Sequence, residues 1–212
     1  VTSLPEDLLG QAEKQGQKTV PSQLPGLRVF FGFLCCFMND FTDPSKGMYL
    51  PPEGQTPMMD IRVRKALYHA IDIETLKNKL MNGQSVPTGG ITASPLGSYN
   101  DPQVETRLPY DVARARALMA EAGYPEGFEV TIDCPNNRYI NDDDICLALA
   151  GMWAQIKVRV KVNAMPRTTY FPKLERFDTS LYLLGWGGAI TDAETTLTPV
   201  LRAPADKGVG VY

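Results

Sequence analysis

Histidine is nearly absent: His69 stands alone among 212 residues. One imidazole leaves almost no room for a His-dependent catalytic site. The four cysteines include no CxxC, so with one histidine a zinc site needs most of the sulfurs in one place. Neither sign of charge dominates. Lys and Arg number 21 against 24 Asp and Glu, a net charge of -3 with no basic run, which argues against nucleic acid or an anionic membrane as the main partner. Long apolar runs are missing as well. The longest, residues 27–38 (LRVFFGFLCCFM), is interrupted by Arg28 and Gly32 and is too short to span a bilayer. The first 17 residues are polar, break at Pro5, and lack the basic-then-apolar pattern of a signal peptide. A start at Val rather than Met reads as a processed chain or a piece of a longer one.

What is present is ordinary globular material: 43% hydrophobic and 21% charged residues, enough for one generous α/β domain or two small ones. Disordered, collagen-like and disulfide-dense classes are excluded. The 17 prolines and 18 glycines mark many turns, chiefly at 39–58 and 84–109. A short helix is expected over 5–14, and a strand buried on both faces over 27–38. Helices follow at 60–71, with Asp60 as N-cap, and at 73–81, capped by Asp72 and closed by Asn82-Gly83. Another spans 111–122, with Ala113, Ala117, Leu118 and Ala120 inward. Then come a strand at 128–134, a helix at 142–155 and a strand at 157–165 with Val158, Val160 and Val162 inward. A helix from Pro166-Arg167 to about Arg176, a strand at 180–186 and a final helix at 192–201 complete the pattern. Alternation with short connections from residue 110 onward predicts an α/β layer with a largely parallel sheet.

Few residues carry the pattern of a reaction centre. His69 lies beside Leu67 and Ala70 with no nucleophile at fixed spacing and reads as structural. Asp142-Asp143-Asp144 lacks the alternate spacing of a calcium loop and reads as dipole-favourable charge at a helix start. No P-loop, dinucleotide fingerprint or GxSxG occurs, so no catalytic residue, metal ligand or cofactor is expected. Cys134 and Cys146 read either as small buried hydrophobes or as a bridge across their loop; adjacent Cys35 and Cys36 point to opposite strand faces and do not bond to each other. Binding features are better placed. Trp186 closes a predicted strand before Gly187 and Gly188, where open α/β sheets meet ligands; a flat wall with close backbone approach is one reading, core packing and a turn the other. Asn136, Arg138 and Tyr139 follow another strand end, where an arginine can fork onto a carboxylate or simply be solvated.

Five separated stretches are similar to the family 5 extracellular solute-binding proteins of ABC importers. They are Asp60-Ile61-Arg62-Val63-Arg64-Lys65-Ala66-Leu67 to Asp72, Tyr110-Asp111 to Pro125, Pro135-Asn136-Asn137-Arg138-Tyr139, Asn141-Asp142, and Leu184-Gly185-Trp186-Gly187-Gly188. The strand at 27–33 resembles the one that precedes this region. The resemblance implies one lobe of a two-lobed, type II-like periplasmic-binding-protein fold, a mixed, mostly parallel sheet flanked by helices. Residues 1–40 would be a lead-in from the other lobe and 41–212 the carboxyl-side lobe, with the amino-terminal lobe and return segment absent.

The implied function is solute binding for an importer, not catalysis, with a peptide-like, opine-like or metal-complex solute held between two lobes. The implied partner is a membrane permease, and the implied location is periplasmic or extracellular, membrane-associated through the importer. Ligand-facing positions would be Trp186, Gly187, Gly188 and Ala189, with Asn136, Arg138 and Tyr139 beside them. Peptide-binding members typically carry Asp where this chain has Ala189, and that Asp pairs with the ligand's ammonium group; its loss implies that a free-amine peptide is not the best ligand. The alternatives are a carboxylate-dependent α/β hydrolase or a degenerate lobe serving protein–protein contact. A homodimer through 27–38 is a further expectation for an isolated lobe, since an uncovered apolar edge self-associates.

Overall fold

The computed structural model describes residues 28–33, 57–90, 102–176, 178, 179, 181–187, 194 and 197. The expected helix at 5–14 and the stretches 34–38 and 39–56 lie outside these residues, as does most of the expected helix at 192–201.

Aspartates cap the starts of three helices. Asp60 accepts from the amide of Arg62 at 2.8 Å and opens α1, Ile61–His69. Asp72 does the same for α2, Ile73–Thr75, through Thr75 N at 3.0 Å; α2 then widens into a π turn, Leu76–Leu80. Positive φ angles at Asn82 and Gly83 end that segment. A short helix α3 spans Pro102–Glu105, and Asp111 caps α4, Val112–Glu121. Then β2 (Glu129–Pro135), α5 (Asp142–Ala154), β3 (Arg159–Met165), α6 (Arg167–Glu175) and β4 (Leu181–Gly187) alternate as expected.

The sheet has the order β1-β4-β2-β3, where β1 is Arg28–Phe33. β2, β3 and β4 are parallel, so their carboxyl ends share one edge; β1 runs antiparallel and places Arg28 opposite Gly187. This is the mixed, mostly parallel sheet of one lobe.

Among the described residues, helices cover both faces of the sheet. On one face α1, α4 and α5 bury Val63, Leu67, Leu118, Met119, Leu149 and Trp153 against Ile132, Val158, Leu181 and Leu183. Trp153 is 2% exposed and its indole N–H donates to Leu67 O at 2.9 Å, which ties α5 to α1. On the other face α6 places Tyr170 and Leu174 against Tyr182, Leu184 and Met165. The inward valines of β3 are as expected: Val158 is buried, and Val160 and Val162 pack against the first core.

The inward face of α4 needs correction. Ala113, Ala117 and Ala120 are exposed, and the buried residues are Ala115, Leu118 and Met119. Alanine is tolerated on either face of a helix, so four of them cannot fix its phase; the bulky Leu118 and Met119 do.

His69 is half-buried, and its ring donates from Nδ1 to Pro109 O at 2.8 Å, a structural contact that pins the segment before α4.

Candidate functional site

The three parallel strands end together, and the segment leaving β2 forms the built part of that edge. Its backbone is held on three sides. Asn136 N donates to Met165 O at 3.0 Å, extending the β2–β3 ladder one residue past the strand. Asn137 Oδ1 accepts from Arg167 N at 2.8 Å and so caps α6 from across the sheet, where the N-cap residue Pro166 supplies no side-chain acceptor. Behind them, Asp142 is 3% exposed; its Oδ2 accepts from Arg138 N and Tyr139 N, both at 2.9 Å, and its Oδ1 from Asp143 N at 3.2 Å. A buried carboxylate receiving three amides is satisfied without a cation. The acidic start of α5 is therefore more than dipole-favourable charge: Asp142 organises the loop.

Two further contacts fix the loop's height. Asn141, in the left-handed region at φ 54°, donates from Nδ2 to Leu80 O at 2.6 Å. Tyr139 donates its hydroxyl to Gly185 O at 3.1 Å, and its ring lies against Gly185. A Cβ at 185 would come within 2.7 Å of Tyr139 Cε1, so glycine is required there to admit the ring. The Arg138 guanidinium lies 5.1 Å from the centroid of the same ring.

Cys134 and Cys146 form a disulfide with Cα atoms 6.7 Å apart, which settles the two readings left open by their spacing. It closes the segment that leaves β2, passes through Asn136–Asn141 and enters α5.

The expected site residues thus fall into three groups. Asn136 and Arg138 are exposed at the carboxyl edge, next to Met165 and Arg167 of the neighbouring strand and helix. Tyr139 joins them but serves first as a pillar between the loop and β4. Trp186 and Gly187 are the last two positions of β4, opposite Val29 and Arg28, at the same edge; Gly188 and Ala189 lie outside the described residues. Asn137, Asp142 and Gly185 escaped the sequence reading. The acid at a helix start and the glycine ahead of Trp186 were visible, but not the partners that give them meaning. Among the described residues no group of three His, Cys, Asp or Glu is placed to hold a metal ion. A pocket lined by Arg116, Met119, Pro125, Ile156 and Lys157 lies at the opposite edge, ahead of β2 and β3.

Comparison with known proteins agrees with this architecture. Heme-binding protein A of Haemophilus influenzae is 28% identical over 150 residues, covering 69% of this chain and 27% of that protein. Glutathione-binding protein GsiB of Pectobacterium atrosepticum is 30% identical over 152 residues, covering 69% and 29%. The chain therefore matches under a third of the length of these relatives. In fold it is similar to the Escherichia coli murein tripeptide binding protein MppA, with a TM-score of 0.67 at 21% identity over 93% of this chain and 36% of that one. The model of the bacterial extracellular solute-binding proteins, family 5 middle, matches residues 1–208, and the chain belongs to that family.

Proposed function

We propose that this chain supplies a solute-binding lobe of a receptor serving an ABC-type importer, and that its solute is peptide-like. The observation that carries the reading is the family match across residues 1–208. The site geometry adds support: the carboxyl edge offers exposed Asn136 and Arg138 on a backbone held rigid by Asp142, Tyr139 and the disulfide. Solute would meet this edge and be enclosed by a second lobe through hinge closure. Trp186 would supply a flat wall, and Gly187, Gly188 and Ala189 the close backbone approach. Arg138 would fork onto a carboxylate of the solute. Residues 1–40 would lead into the lobe formed by 41–212. The partner would be a membrane permease and the location periplasmic or extracellular. The chain is proposed to bind rather than transform its solute. Alone, it would self-associate through residues 27–38, to be read by light scattering against concentration.

Ala189 sharpens the ligand class. A peptide ammonium enclosed without a carboxylate partner loses several kcal/mol, roughly 3–5 by analogy with broken buried ion pairs. A peptide with a blocked amino terminus suits this chain better than a free one. The test is tryptophan emission during titration with dialanine and with N-acetyl-dialanine, compared in the wild type and Trp186→Phe. The expected result is a change that Trp186→Phe abolishes, at lower concentration for the acetylated peptide. No response to either peptide would overturn the receptor reading. Tighter response to free dialanine would overturn the Ala189 argument alone, and release of alanine would overturn the non-catalytic one.

A further inference from the structure

We propose that Arg167 is a second anion-reading residue beside Arg138, so that the preferred solute carries two acidic groups. The inference rests on the carboxyl edge being the solute site and goes beyond it in naming a specificity residue and a charge class.

The two arginines come from different elements, the loop after β2 and the first turn of α6, and are brought together by Asn137. Because Asn137 Oδ1 accepts from Arg167 N, the Arg138 and Arg167 Cα atoms are at most about 12 Å apart, as standard bond lengths and the Cα step require. Each side chain reaches roughly 6 Å from its Cα, so both guanidinium groups can serve one small ligand. Both residues are exposed.

Their bonding sets them apart from most other described arginines. Arg62, Arg114 and Arg159 pair with Asp60, Glu121 and Glu129. Arg107 and Arg116 donate to the carbonyls of Thr88 and Gln155. Arg138 instead lies over the Tyr139 ring, and neither it nor Arg167 has a carboxylate within ion-pair distance among the described residues. The nearby acids are engaged locally: Asp142 holds three amides, and Asp143 accepts from Asp144 N at 3.1 Å. The first amide of α6 is already taken by Asn137 and that of Thr169 by the Pro166 carbonyl, so an anion would be received chiefly by the two side chains. Planar guanidinium groups bind carboxylates through paired hydrogen bonds. Two of them at one edge, in a chain with Ala rather than Asp at 189, fit a dicarboxylate rather than a cation.

The test is amide NMR of the whole chain titrated with glutarate, with butyrate and with 1,5-diaminopentane. Glutarate is expected to shift the amides of 136–139 and 167–169 and to bind more tightly than butyrate, whereas the diamine shifts neither group. Arg167→Gln should weaken glutarate about tenfold and leave butyrate unchanged, and Arg167→Lys should recover part of the loss. Arg138→Gln should weaken both acids. Arg176→Gln, at the far end of α6, serves as the charge control and should change neither. If Arg167→Gln binds glutarate like the wild type while Arg138→Gln does not, the proposal falls and the site stands. If neither acid moves the amides of 136–139, site and proposal fall together.

Discussion

On one face of the sheet three helices press Leu67, Met119, Ile132 and Trp153 into a continuous apolar core. On the other, among the described residues, α6 is the helix that covers Tyr182 and Leu184, and beside them sits a carboxylate, Asp133, that is 1% exposed. Asp133 accepts from Lys173 Nζ at 2.7 Å and from Asn163 Nδ2 at 2.6 Å, while Lys173 also donates to the Asp178 carbonyl. The first face gains stability from area removed from water, which depends little on direction. The second combines a small apolar cluster with a directional polar contact, which fixes where α6 sits at a cost in desolvation. The site loop is joined to both: the disulfide and Asp142 fasten it to α5, and Asn137 fastens it to α6.

Substitutions can separate these two modes. Trp153→Ala on the three-helix face should have the largest effect, about 4 kcal/mol of lost stability by chemical denaturation, from the cavity and the orphaned Leu67 carbonyl. An effect below 1 kcal/mol, measured the same way, would mean that this core does not dominate. Asp133→Leu should cost about 3 kcal/mol, because Lys173 keeps its charge at a site with 21% side-chain exposure. Adding Lys173→Met should recover most of that loss. If the double variant is no better than the single one, the pair itself is stabilising rather than orienting.

Gly185→Ala sharpens the link between sheet and loop. The added Cβ displaces the Tyr139 ring and should cost about 2 kcal/mol, with loss of near-ultraviolet tyrosine ellipticity. The smallest effect is expected far from the site, at Asp60. Its carboxyl is held below the ordinary value of 3.8, chiefly by the side-chain hydrogen bond from Arg62. The group therefore stabilises the fold fully above pH 3.8 and loses that contribution as pH falls through the lower folded value. Asp60→Asn should flatten that part of an acid unfolding curve, and an unchanged acid limb would remove Asp60 from the account.

Much of the architecture was legible because it is local or periodic. Asp60 and Asp72 each announce a helix by type and position, and Val158, Val160 and Val162 announce a half-covered strand. The phase of α4 was not legible, since alanines at 113, 117 and 120 satisfy either face. At the site, the residues were findable and their work was not. Arg138 and Tyr139 follow a strand end, which is a sequence pattern. That Tyr139 needs a glycine 46 positions later, or that Asn137 caps a helix 30 positions later, depends on which strands become neighbours. Strand order β1-β4-β2-β3 is a property of the packed sheet, and spacing along the chain does not encode it.

The bond between Cys134 and Cys146 has a consequence for cutting as well as for folding. It makes the loop between β2 and α5 part of a covalent ring, with the rest of the chain attached at its two sulfur-bearing corners. A protease that nicks the exposed stretch at 136–138 leaves a single molecule on a non-reducing gel and two pieces on a reducing one. With both ends still tethered, and with β2 and α5 seated in the same core, a nicked molecule should keep its native shape. Severing the loop would then open the ring without separating the halves it joins.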